Sequence, residues 1–417
     1  MPRERRRVVV TGLGLVTPLG LGATENWSTL MSGRSGVRAI TRFDASDLPV
    51  RIAAEVRDFR PEDFMEKKEV RRTDRFVQYS LAAAQMAVDD SAMVIDGANR
   101  DRTGVIFGVG FGGMESIEDQ LRDFFADGFR KLSPFFIPRA IANMAPGQIA
   151  IRFGARGTNY ATASACASST HAIGEAFRAI QWGYQDAMIT GGAEASITPA
   201  SVGGFAAMRA LSTHNEEPEK ASRPFDKKRD GFVIGEGSGV LVVEEAEAAR
   251  RRGARIYAEI IGYGSTADAY HITAPAPEGE GACRCMMETI ADAEIPPSDV
   301  DYVNAHGTST PHNDATETLA LKHIFGEHAA RLLVSSTKSQ TGHLLGGAGG
   351  VEAAYTVLAL HNGVAPATWN YEEPDPDCDL DYVPNAPRSA PLRVGMSNSF
   401  GFGGANACIL FRRWDGS

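Results

Sequence analysis

One cysteine and two histidines occupy positions where they could form a catalytic group. Cys166 follows a β-like run and precedes a helical pattern of apolar residues, so its thiol is expected at a helix N-terminus. The positive end of the helix dipole and the exposed N–H groups there favour thiolate, the nucleophilic form. His306 and His343 each follow an apolar run, in segments 304–310 and 335–343. A buried structural cysteine is the usual role of this residue type, but the two histidine segments favour a nucleophile assisted by imidazole.

Four segments of the chain, taken together and in order, carry a family resemblance. They are residues 160–170 around the cysteine, 304–310, 335–343 and the glycine-rich 397–406. This set resembles the signature motifs of the β-ketoacyl-acyl-carrier-protein synthases, which are condensing enzymes on the thiolase fold. The similarity runs from Val8 to about Phe411. It is greatest to the synthase II branch, the elongating enzymes of type II fatty-acid synthesis, which residues 222–226, 230–237 and 268–271 also match.

Runs of β-like and helical pattern alternate along the chain, which predicts an α/β protein. Strands are predicted at residues 8–10, 103–107, 187–190, 239–244, 256–261, 302–305, 332–335, 396–399 and 407–411. Helices are predicted at residues 76–89, 171–182, 280–293, 315–324 and 351–360. The resemblance implies a thiolase fold, in which two related βαβαβαββ halves form a layered α-β-α-β-α core. We expect an N-terminal half at 1–254 carrying the cysteine, a C-terminal half at 255–412 carrying both histidines, and a tail at 413–417.

Composition and charge narrow the possible functions. The 417 residues are 43% hydrophobic, and the formal net charge of −10 argues against general nucleic-acid binding. The sequence has no run of about 18 apolar residues, so no membrane span is predicted. A short strand at 8–10 and a turn at Gly12, Gly14 and Pro18 follow the charged N-terminus, instead of a secretory signal. Because the five scattered cysteines do not make a disulfide framework, we expect a cytoplasmic enzyme.

The resemblance implies a decarboxylative Claisen condensation in two stages. Cys166 would take the acyl chain from an acyl-carrier-protein thioester, with the backbone N–H groups of Cys166 and Phe402 stabilising the oxyanion. Malonyl-acyl-carrier protein would then lose carbon dioxide, and its carbanion would attack the acyl-cysteine. His306 and His343 would donate hydrogen bonds to the enolate oxygen, so both are expected to act mainly in this second stage. Lys338 would support the two histidines electrostatically. Whether His306 or a water acts as base stays open. The resemblance implies no organic cofactor.

Phe111, Phe205 and Phe402 are the residues that the resemblance places in the acyl pocket. In synthase II the position that matches Phe111 usually carries isoleucine, at the far end of the pocket near the dimer interface. Because overfilling a close-packed interior costs about 1–3 kcal/mol, the larger phenyl ring predicts a preference for short or medium acyl primers. Family members form homodimers, and the same assembly is expected here.

The expected partner is an acyl-carrier protein that bears an acyl or a malonyl group. Carrier proteins of this system are strongly acidic, and this chain is itself net negative, so docking requires a local basic patch. The positions that match the docking residues of synthase II are Lys68, Arg71, Arg72, Arg130, Lys131 and Arg209. An ordinary solvated charged face is the alternative interpretation of these residues.

A second site could hold a small ion. In relatives, a bound monovalent cation near the active site is surrounded by the positions that match Asn304, Glu352, Ser397 and Asn398. A buried hydrogen-bond network around Glu352 is the alternative, since a buried carboxylate must be paired. The residues alone do not identify the ion.

Two short motifs suggest other ligands. Residues 108–113 match the glycine-rich pattern of dinucleotide-binding folds. That fold also needs an acidic residue about twenty positions later, where this chain has a basic stretch at 128–131. Cys283 and Cys285 are too close together for the usual zinc-binding pair and have no second pair. Residues 108–113 are better interpreted as a turn that lets the backbone approach the pocket. The two cysteines are better interpreted as part of a packed helix.

Several other functions compete with the condensing enzyme. A thiolase would take its base from a second cysteine in the loop that corresponds to residues 401–404, and this chain has no cysteine there. A Cys-His hydrolase would leave His343 and Lys338 without a role. Chain-length factors, the non-catalytic relatives of polyketide ketosynthases, lack the nucleophilic cysteine. A ketosynthase of a type II polyketide pathway would use the same residues and stays an alternative. A non-catalytic interaction protein is disfavoured because Cys166 and both histidines are present.

Overall fold

The computed structural model describes residues 5–416. The four N-terminal residues and Ser417, which belong to the predicted first half and the predicted tail, lie outside the described residues. The five cysteines are all buried and free. Within residues 5–416, no helix has both the length and the apolar character that crossing a bilayer requires.

Strands and helices alternate through the described residues. The strands are β1 (Val8–Thr17), β2 (Gly20–Leu21), β3 (Arg38–Ala39), β4 (Ile52–Ala53), β5 (Thr103–Val109), β6 (Asn159–Thr162), β7 (Ala187–Glu194), β8 (Gly237–Glu245), β9 (Ala258–Ala267), β10 (Tyr302–Asn304), β11 (Leu333–Ser335), β12 (Val364–Ala365), β13 (Arg388–Ser389), β14 (Val394–Gly401) and β15 (Ala405–Arg413). The α-helices are α1 (Gly22–Ser32), α2 (Lys67–Val70), α3 (Arg75–Ser91), α4 (Met114–Asp127), α5 (Phe136–Ala140), α6 (Met144–Phe153), α7 (Ser168–Gln181), α8 (Pro199–Ala207), α9 (Ala246–Arg251), α10 (Glu280–Asp292), α11 (Pro311–Phe325), α12 (Lys338–Thr341) and α13 (Ala348–Asn362). Short 3-10 helices lie at Pro61–Asp63, Arg100–Arg102, Phe129–Lys131, Ala165–Ala167, Pro218–Lys220, Pro277–Gly279, Pro297–Asp299, Gly326–Ala330 and Leu345–Gly347. Each predicted strand and helix overlaps one of these elements, whereas helices such as α4 and α6 have no predicted counterpart.

The principal sheet repeats one strand order on either side of its centre. Its strands run in the order β11-β10-β14-β15-β9-β1-β8-β7-β5-β6, and the hairpin strand β2 is added to β1. Each side has five strands when β2 is left aside. Numbered by their order in the chain, the five strands of each side lie in the order first, fifth, fourth, second and third from the centre outward. On both sides the fourth strand is parallel to the second and antiparallel to the fifth. The two first strands, β1 and β9, pair antiparallel and join the sides.

Helices cover and separate the two sets of strands in five layers. The central helices α7 and α13 contact both sets, and their side chains Ile173, Phe177, Val351 and Tyr355 share one buried cluster. Helix α3 packs on the outer face of the N-terminal strands, and α10 packs on the outer face of the C-terminal strands. This α-β-α-β-α arrangement of two related halves confirms the predicted thiolase fold.

The first strand is longer than the sequence pattern predicts. Strand β1 does not turn at Gly12 and Gly14 but continues to Thr17. A Cβ at Gly12 would lie 2.1 Å from the carbonyl oxygen of Ala87, and one at Gly14 would lie 1.9 Å from that of Ala83. The predicted turn is confirmed at Pro18, where the chain passes from β1 into β2. It is wrong at Gly12 and Gly14, because these two glycines let α3 pack directly on the strand backbone.

Candidate active site

Cys166 lies where a strand of the N-terminal half passes into a buried helix. Strand β6 is followed by the 3-10 turn Ala165–Ala167 and then by α7, which begins at Ser168. The Ser168 hydroxyl accepts a hydrogen bond from the backbone N–H of Ser164 at 2.9 Å and donates one to the carbonyl of Ala165 at 2.7 Å. These bonds fix the turn, so the cysteine is buried at a helix N-terminus, the position that its sequence context predicts.

Two histidines from the C-terminal half reach the thiol. His343 Nε2 lies 3.0 Å from Cys166 Sγ, within hydrogen-bond distance, although 177 positions separate them in the chain. The His306 ring is edge-on to the His343 ring, with 5.4 Å between centroids. One ligand atom from each of the three residues lies within 4.8 Å of the others. The structure therefore brings the three candidate catalytic side chains into one cluster.

Burial keeps all three groups neutral at rest. It raises the pKa of the Cys166 thiol to about 12, although Lys338 and a hydrogen bond from the backbone N–H of Phe402 act in the opposite direction. The pKa values of His306 and His343 are lowered well below the ordinary histidine value, first by burial and then by the charge of Lys338. The expectation of a thiolate is therefore wrong for the resting protein, because desolvation of the charged form outweighs the helix dipole. A neutral His343 can accept the thiol proton through Nε2.

Lys338 and Glu352 form a buried ion pair near the histidines. The ammonium group contacts Glu352 Oε1 directly, and the two side chains are only 2% and 3% exposed. Burial raises the pKa of Glu352, and the charge of Lys338 opposes that rise. Lys338 begins α12, and its carbonyl accepts a hydrogen bond from the Ser222 hydroxyl at 2.6 Å. This lysine is therefore not a surface residue, and its charge acts on the imidazoles through a poorly screening interior.

A glycine-rich turn between β14 and β15 lies against the cysteine. The backbone N–H of Phe402 lies close enough to the Cys166 sulfur to lower the pKa of the thiol. A Cβ at Gly401 would lie 2.7 Å from the carbonyl oxygen of Ser164 and 3.2 Å from the Cys166 nitrogen, so a side chain there would push the turn away. Gly403 has φ +83°, which side-chain-bearing residues rarely adopt. The turn thus holds one of the two predicted oxyanion donors against the sulfur.

An apolar cavity of about 490 Å³ opens onto the sulfur. The predicted catalytic and acyl-pocket residues that line it are Cys166, His306, His343, Phe111, Phe205 and Phe402. Phe111 is edge-on to Phe205, with 6.1 Å between centroids, and Phe205 is edge-on to Phe232 at 5.3 Å. Phe232 is in turn edge-on to His343 at 5.4 Å. This aromatic row leads from the imidazole beside the sulfur to Phe111 at the cavity wall.

Two family models match consecutive parts of this chain. The model described as the beta-ketoacyl synthase N-terminal domain matches residues 5–249, and that described as the C-terminal domain matches residues 257–372. The chain belongs to the β-ketoacyl synthase family. The first match contains the cysteine, and the second contains both histidines and the buried ion pair.

Relatives of this synthase resemble it along almost the whole chain. A 3-oxoacyl-[acyl-carrier-protein] synthase 2 of Synechocystis sp. is 53% identical over 99% of both chains. The protein of the same name from Coxiella burnetii is 53% identical over 98% of this chain and 99% of its own. The solved structure of a type II polyketide-synthase acyl-carrier protein in complex with its ketosynthase bound to the hexaketide superposes with a TM-score of 0.91. It is 34% identical and covers 99% of this chain and 100% of that chain.

The six basic residues predicted to dock a carrier protein are all exposed in this β-ketoacyl synthase. Two of their segments meet, because the Arg72 guanidinium lies 4.8 Å over the ring of Phe135, four residues after the 3-10 turn Phe129–Lys131. Arg209 lines the cavity and is exposed, so it lies at the cavity mouth. The surface therefore has two adjoining basic segments and an arginine at the entrance to the site.

The four residues predicted to surround a cation divide between two faces of the sheet. Asn304 and Ser397 are neighbours in register on β10 and β14, and the Asn304 side chain donates to the Glu352 carbonyl at 3.4 Å. Successive side chains of a strand alternate faces, and Asn398 donates instead to Glu317 Oε1 at 3.1 Å. All four residues have a buried side-chain oxygen without a hydrogen-bond partner among the described residues, namely Asn304 Oδ1, Ser397 Oγ, Glu352 Oε2 and Asn398 Oδ1. Oxygen atoms of this kind suit a hard cation, although the Asn398 amide nitrogen is bonded to Glu317 on the other face of the strand.

Glu317 holds the His306 loop, a role that its sequence context does not indicate. Its carboxylate accepts hydrogen bonds from the backbone N–H groups of His306 at 2.9 Å and Gly307 at 2.8 Å. Burial raises the pKa of Glu317 to about 7, against these hydrogen bonds and one from Asn398. The available signal is weak: Asp314 and Glu317 stand three residues apart on the buried side of α11, which also carries Thr318 and three apolar residues.

Proposed function

We propose that this β-ketoacyl synthase joins an acyl group held on Cys166 to a malonyl group on an acyl-carrier protein, with loss of carbon dioxide. The observation that carries the proposal is the 3.0 Å contact between Cys166 Sγ and His343 Nε2, with His306 beside them on an apolar cavity. A thiol, two neutral imidazoles and the Phe402 N–H supply the nucleophile, the enolate donors and an oxyanion donor that this condensation needs. The name of the 53% identical relatives describes the same reaction.

In the first stage, the acyl thioester of the carrier protein places its carbonyl carbon against the cysteine. The Cys166 thiol passes its proton to His343 Nε2 as the sulfur attacks, and the backbone N–H groups of Cys166 and Phe402 stabilise the resulting oxyanion. The C–S bond to the carrier protein then breaks, and the departing thiolate takes the proton from His343. The acyl chain remains on the sulfur and lies along the aromatic row towards Phe111.

In the second stage, malonyl-acyl-carrier protein binds beside the acyl-cysteine. Loss of carbon dioxide leaves an enolate, whose oxygen accepts hydrogen bonds from the N–H groups of His306 and His343. Because His343 Nε2 accepts the thiol proton in the first stage and then gives it to the departing thiolate, the ring proton of His343 must move from Nδ1 to Nε2 between the stages before this nitrogen can donate. Burial and the charge of Lys338 lower both imidazole pKa values, so both rings are neutral donors. The enolate carbon attacks the acyl carbonyl, and Cys166 leaves as thiolate and regains a proton from water. Either His306 or a water assists the decarboxylation.

Fatty-acid elongation is the pathway we propose, because the relatives named synthase 2 are 53% identical while the polyketide-synthase ketosynthase is 34% identical. A type II polyketide ketosynthase is the second candidate, since the fold overlap with that ketosynthase is nearly complete. The catalytic residues are the same in both cases, so the native carrier protein and product decide between them. A thiolase has less support, because the loop 401–404 has no cysteine and the first cysteine after that loop, Cys408, is buried in β15.

Partners, assembly and location complete the proposal. The exposed basic segments would dock an acidic acyl-carrier protein, and the chain would form a homodimer. A monovalent cation would satisfy the buried oxygens of Asn304, Ser397 and Glu352 without taking part in either stage. The division into halves at 1–254 and 255–412 and the cytoplasmic location stay predictions.

The proposal is tested with purified protein, an acyl primer on carrier protein, and malonyl-carrier protein. Mass spectrometry should detect first an acyl group on the enzyme and then a β-ketoacyl product on the carrier. Cys166→Ala should abolish both species, because the nucleophile is lost. Cys283→Ala is the matched control, since both thiols are 8% exposed, and it should react like wild type. Acyl-enzyme at the wild-type level in Cys166→Ala would exclude this cysteine as the nucleophile.

A further inference from the structure

Glu194, the last residue of β7, is a fully buried carboxylate that the two stages above do not use. Its Oε2 accepts backbone N–H bonds from Gly110 at 2.9 Å and from Gly346 at 3.2 Å. The Phe111 N–H lies 3.3 Å from both carboxylate oxygens, and the Ser196 hydroxyl donates to Oε1 at 3.1 Å. The four donors are neutral and come from three separate segments of the chain.

The backbones around this carboxylate approach too closely for side chains. A Cβ at Gly346 would lie 2.1 Å from the Gly110 nitrogen and 2.7 Å from Glu194 Oε2. A Cβ at Gly110 would lie 2.4 Å from the same oxygen. Both positions therefore require glycine, and the carboxylate fills the remaining space between the two backbones.

The segments that Glu194 joins differ in exposure. Gly110 and Phe111 form a wall of the cavity, and the Phe111 side chain is 48% exposed. Gly346 also lines the cavity, but it is buried in the 3-10 turn before α13, and its carbonyl accepts a hydrogen bond from the Ser169 hydroxyl of α7. Helix α7 is the helix that follows the nucleophile. The carboxylate thus ties a partly exposed cavity wall to the buried frame around the cysteine.

A carboxylate in this place is costly to bury. Burial raises the pKa of Glu194 to about 7, while hydrogen bonds from Phe111, Ser196, Gly110 and Gly346 lower it. An apolar side chain would avoid that desolvation cost. Hydrogen bonds to an ionised acceptor are about twice as strong as those between neutral groups. The carboxylate is therefore explained by the hydrogen bonds that it accepts from Gly110 and Phe111 in the cavity wall and from Gly346 in the buried turn, which an apolar side chain could not accept.

We propose that Glu194 is a positioning residue that holds the Phe111 wall in place and thereby limits the length of acyl primer that Cys166 accepts. The inference rests on the proposed function, because it requires an acyl chain on the cysteine. Without the carboxylate, the backbone of Gly110 and Phe111 can move outward, and a long chain gains room. Primers too short to reach the wall are not affected.

The test measures acylation of Cys166 by hexanoyl- and palmitoyl-carrier protein, with kcat and KM determined separately. Glu194→Asp shortens the side chain by one methylene, so it no longer bridges Gly110 and Gly346. At pH 8, above the raised pKa of Glu194, the palmitoyl-to-hexanoyl ratio of kcat/KM should rise about tenfold, through the palmitoyl KM, which corresponds to one lost hydrogen bond to a charged acceptor. Glu194→Gln should restore the wild-type ratio to within about twofold, because its amide oxygen can accept from both glycines while its NH₂ faces the Ser196 hydroxyl.

Glu244→Asp controls for a general loss of stability. Glu244 is a buried carboxylate on the neighbouring strand β8, but it bonds to Thr11 and Arg252 and does not line the cavity. This variant should lower the melting temperature and leave the primer ratio unchanged. A wild-type ratio in Glu194→Asp, or an equal shift in Glu244→Asp, would overturn the inference.

A second variant covers the case in which Glu194→Asp does not fold. Ser196→Ala removes one donor to the carboxylate and leaves its backbone donors in place. This variant should raise the palmitoyl-to-hexanoyl ratio of kcat/KM about twofold, which is the lower end of the effect of losing one hydrogen bond. An unchanged ratio in this variant would then reject the positioning role of Glu194. Failure of the wild type to accept either primer is a different outcome, since it rejects the proposed function itself and the inference with it.

Discussion

The two halves of this β-ketoacyl synthase repeat one strand order but carry different chemistry at matching strand ends. In chain order, the second, third and fourth strands are β5, β6 and β7 in the N-terminal half and β10, β11 and β14 in the C-terminal half. The pairs found at or after these matching ends are Phe111 and His306, Cys166 and His343, and Glu194 and Phe402. The pseudo-repeat thus brings six different side chains to one edge of the molecule's central layers.

The difference separates the two substrates of the proposed reaction. The N-terminal half supplies the nucleophile, the Phe111 wall and all six predicted docking residues. The C-terminal half supplies both imidazoles and the Lys338–Glu352 ion pair, whose charge lowers the histidine pKa values. Variants of the N-terminal half should therefore change which acyl group is loaded. Variants of the C-terminal half should change mainly whether condensation follows, with His343 as the exception because its Nε2 also contacts the Cys166 sulfur.

The largest expected effect comes from the C-terminal side. His306→Ala should lower the condensation rate about 100- to 1000-fold, because a preorganised donor to the enolate is lost. Acylation of Cys166 should change little in this variant. His343→Ala should impair both stages, since His343 Nε2 also contacts the sulfur at 3.0 Å. Single-turnover acylation and steady-state condensation, measured separately, distinguish the two variants.

His328→Ala is the control for the histidine variants. Its Nε2 bonds to the Val300 carbonyl at 2.8 Å on the outer side of the C-terminal half, so both rates should match those of wild type. An equal loss of acylation and condensation in His306→Ala would show that the two substrates do not divide between the halves.

The next largest expected effect is on acyl loading by the N-terminal half. Phe111→Ile should raise the rate of acylation by long primers about tenfold to a hundredfold, because relief of about 1–3 kcal/mol of overpacking acts on long chains. Acylation rates across primers of increasing length, in wild type and in the variant, give the comparison. Phe64→Ile is the matched control, since this partly buried ring stacks on Phe59 away from the cavity. Wild type that accepts long primers as readily as Phe111→Ile would remove Phe111 as the limit.

The smallest effect concerns docking. Reversing the charges of Arg71 and Arg72 to Glu should raise the apparent KM for the carrier protein about threefold to tenfold and weaken its salt dependence, because a local attractive field is lost. Steady-state rates across a range of salt concentrations measure both quantities. The same reversal at Arg250 and Arg251 on α9 changes the net charge equally and should have little effect. A salt dependence that matches wild type in the Arg71 and Arg72 variant would leave this patch without a docking role.

Local patterns were sufficient for most of the fold and misleading at the first strand. The apolar residues of α7 and α13 predict both helices, because α7 buries one face in the central layer and α13 is buried on all sides from Ala348 to Leu360. Gly12 and Gly14 indicate a turn when only neighbouring residues are considered. In the structure they allow α3 to contact the backbone of β1, and a contact with a helix more than sixty residues away leaves no local signal.

The ion site and the supporting carboxylates show the same limit. Asn398 stands beside Ser397 in the chain, yet strand alternation turns its side chain towards Glu317 and away from Glu352. Glu194 and Glu317 are single acidic residues without a motif of their own. Their roles follow from the backbone N–H groups of distant segments that converge on them.

The sequence by itself determined the α/β alternation, the place of Cys166 before a helix and the segments that contain His306 and His343, because these depend on residue type and local periodicity. Only the tertiary structure decided the protonation state of the site. A thiol at a solvated helix N-terminus favours the charged form, but Cys166 lies beneath Phe402 and two imidazoles, where burial raises its pKa to about 12. Desolvation depends on which distant segments cover a group, and His343, which must take the thiol proton, lies 177 positions away in the chain.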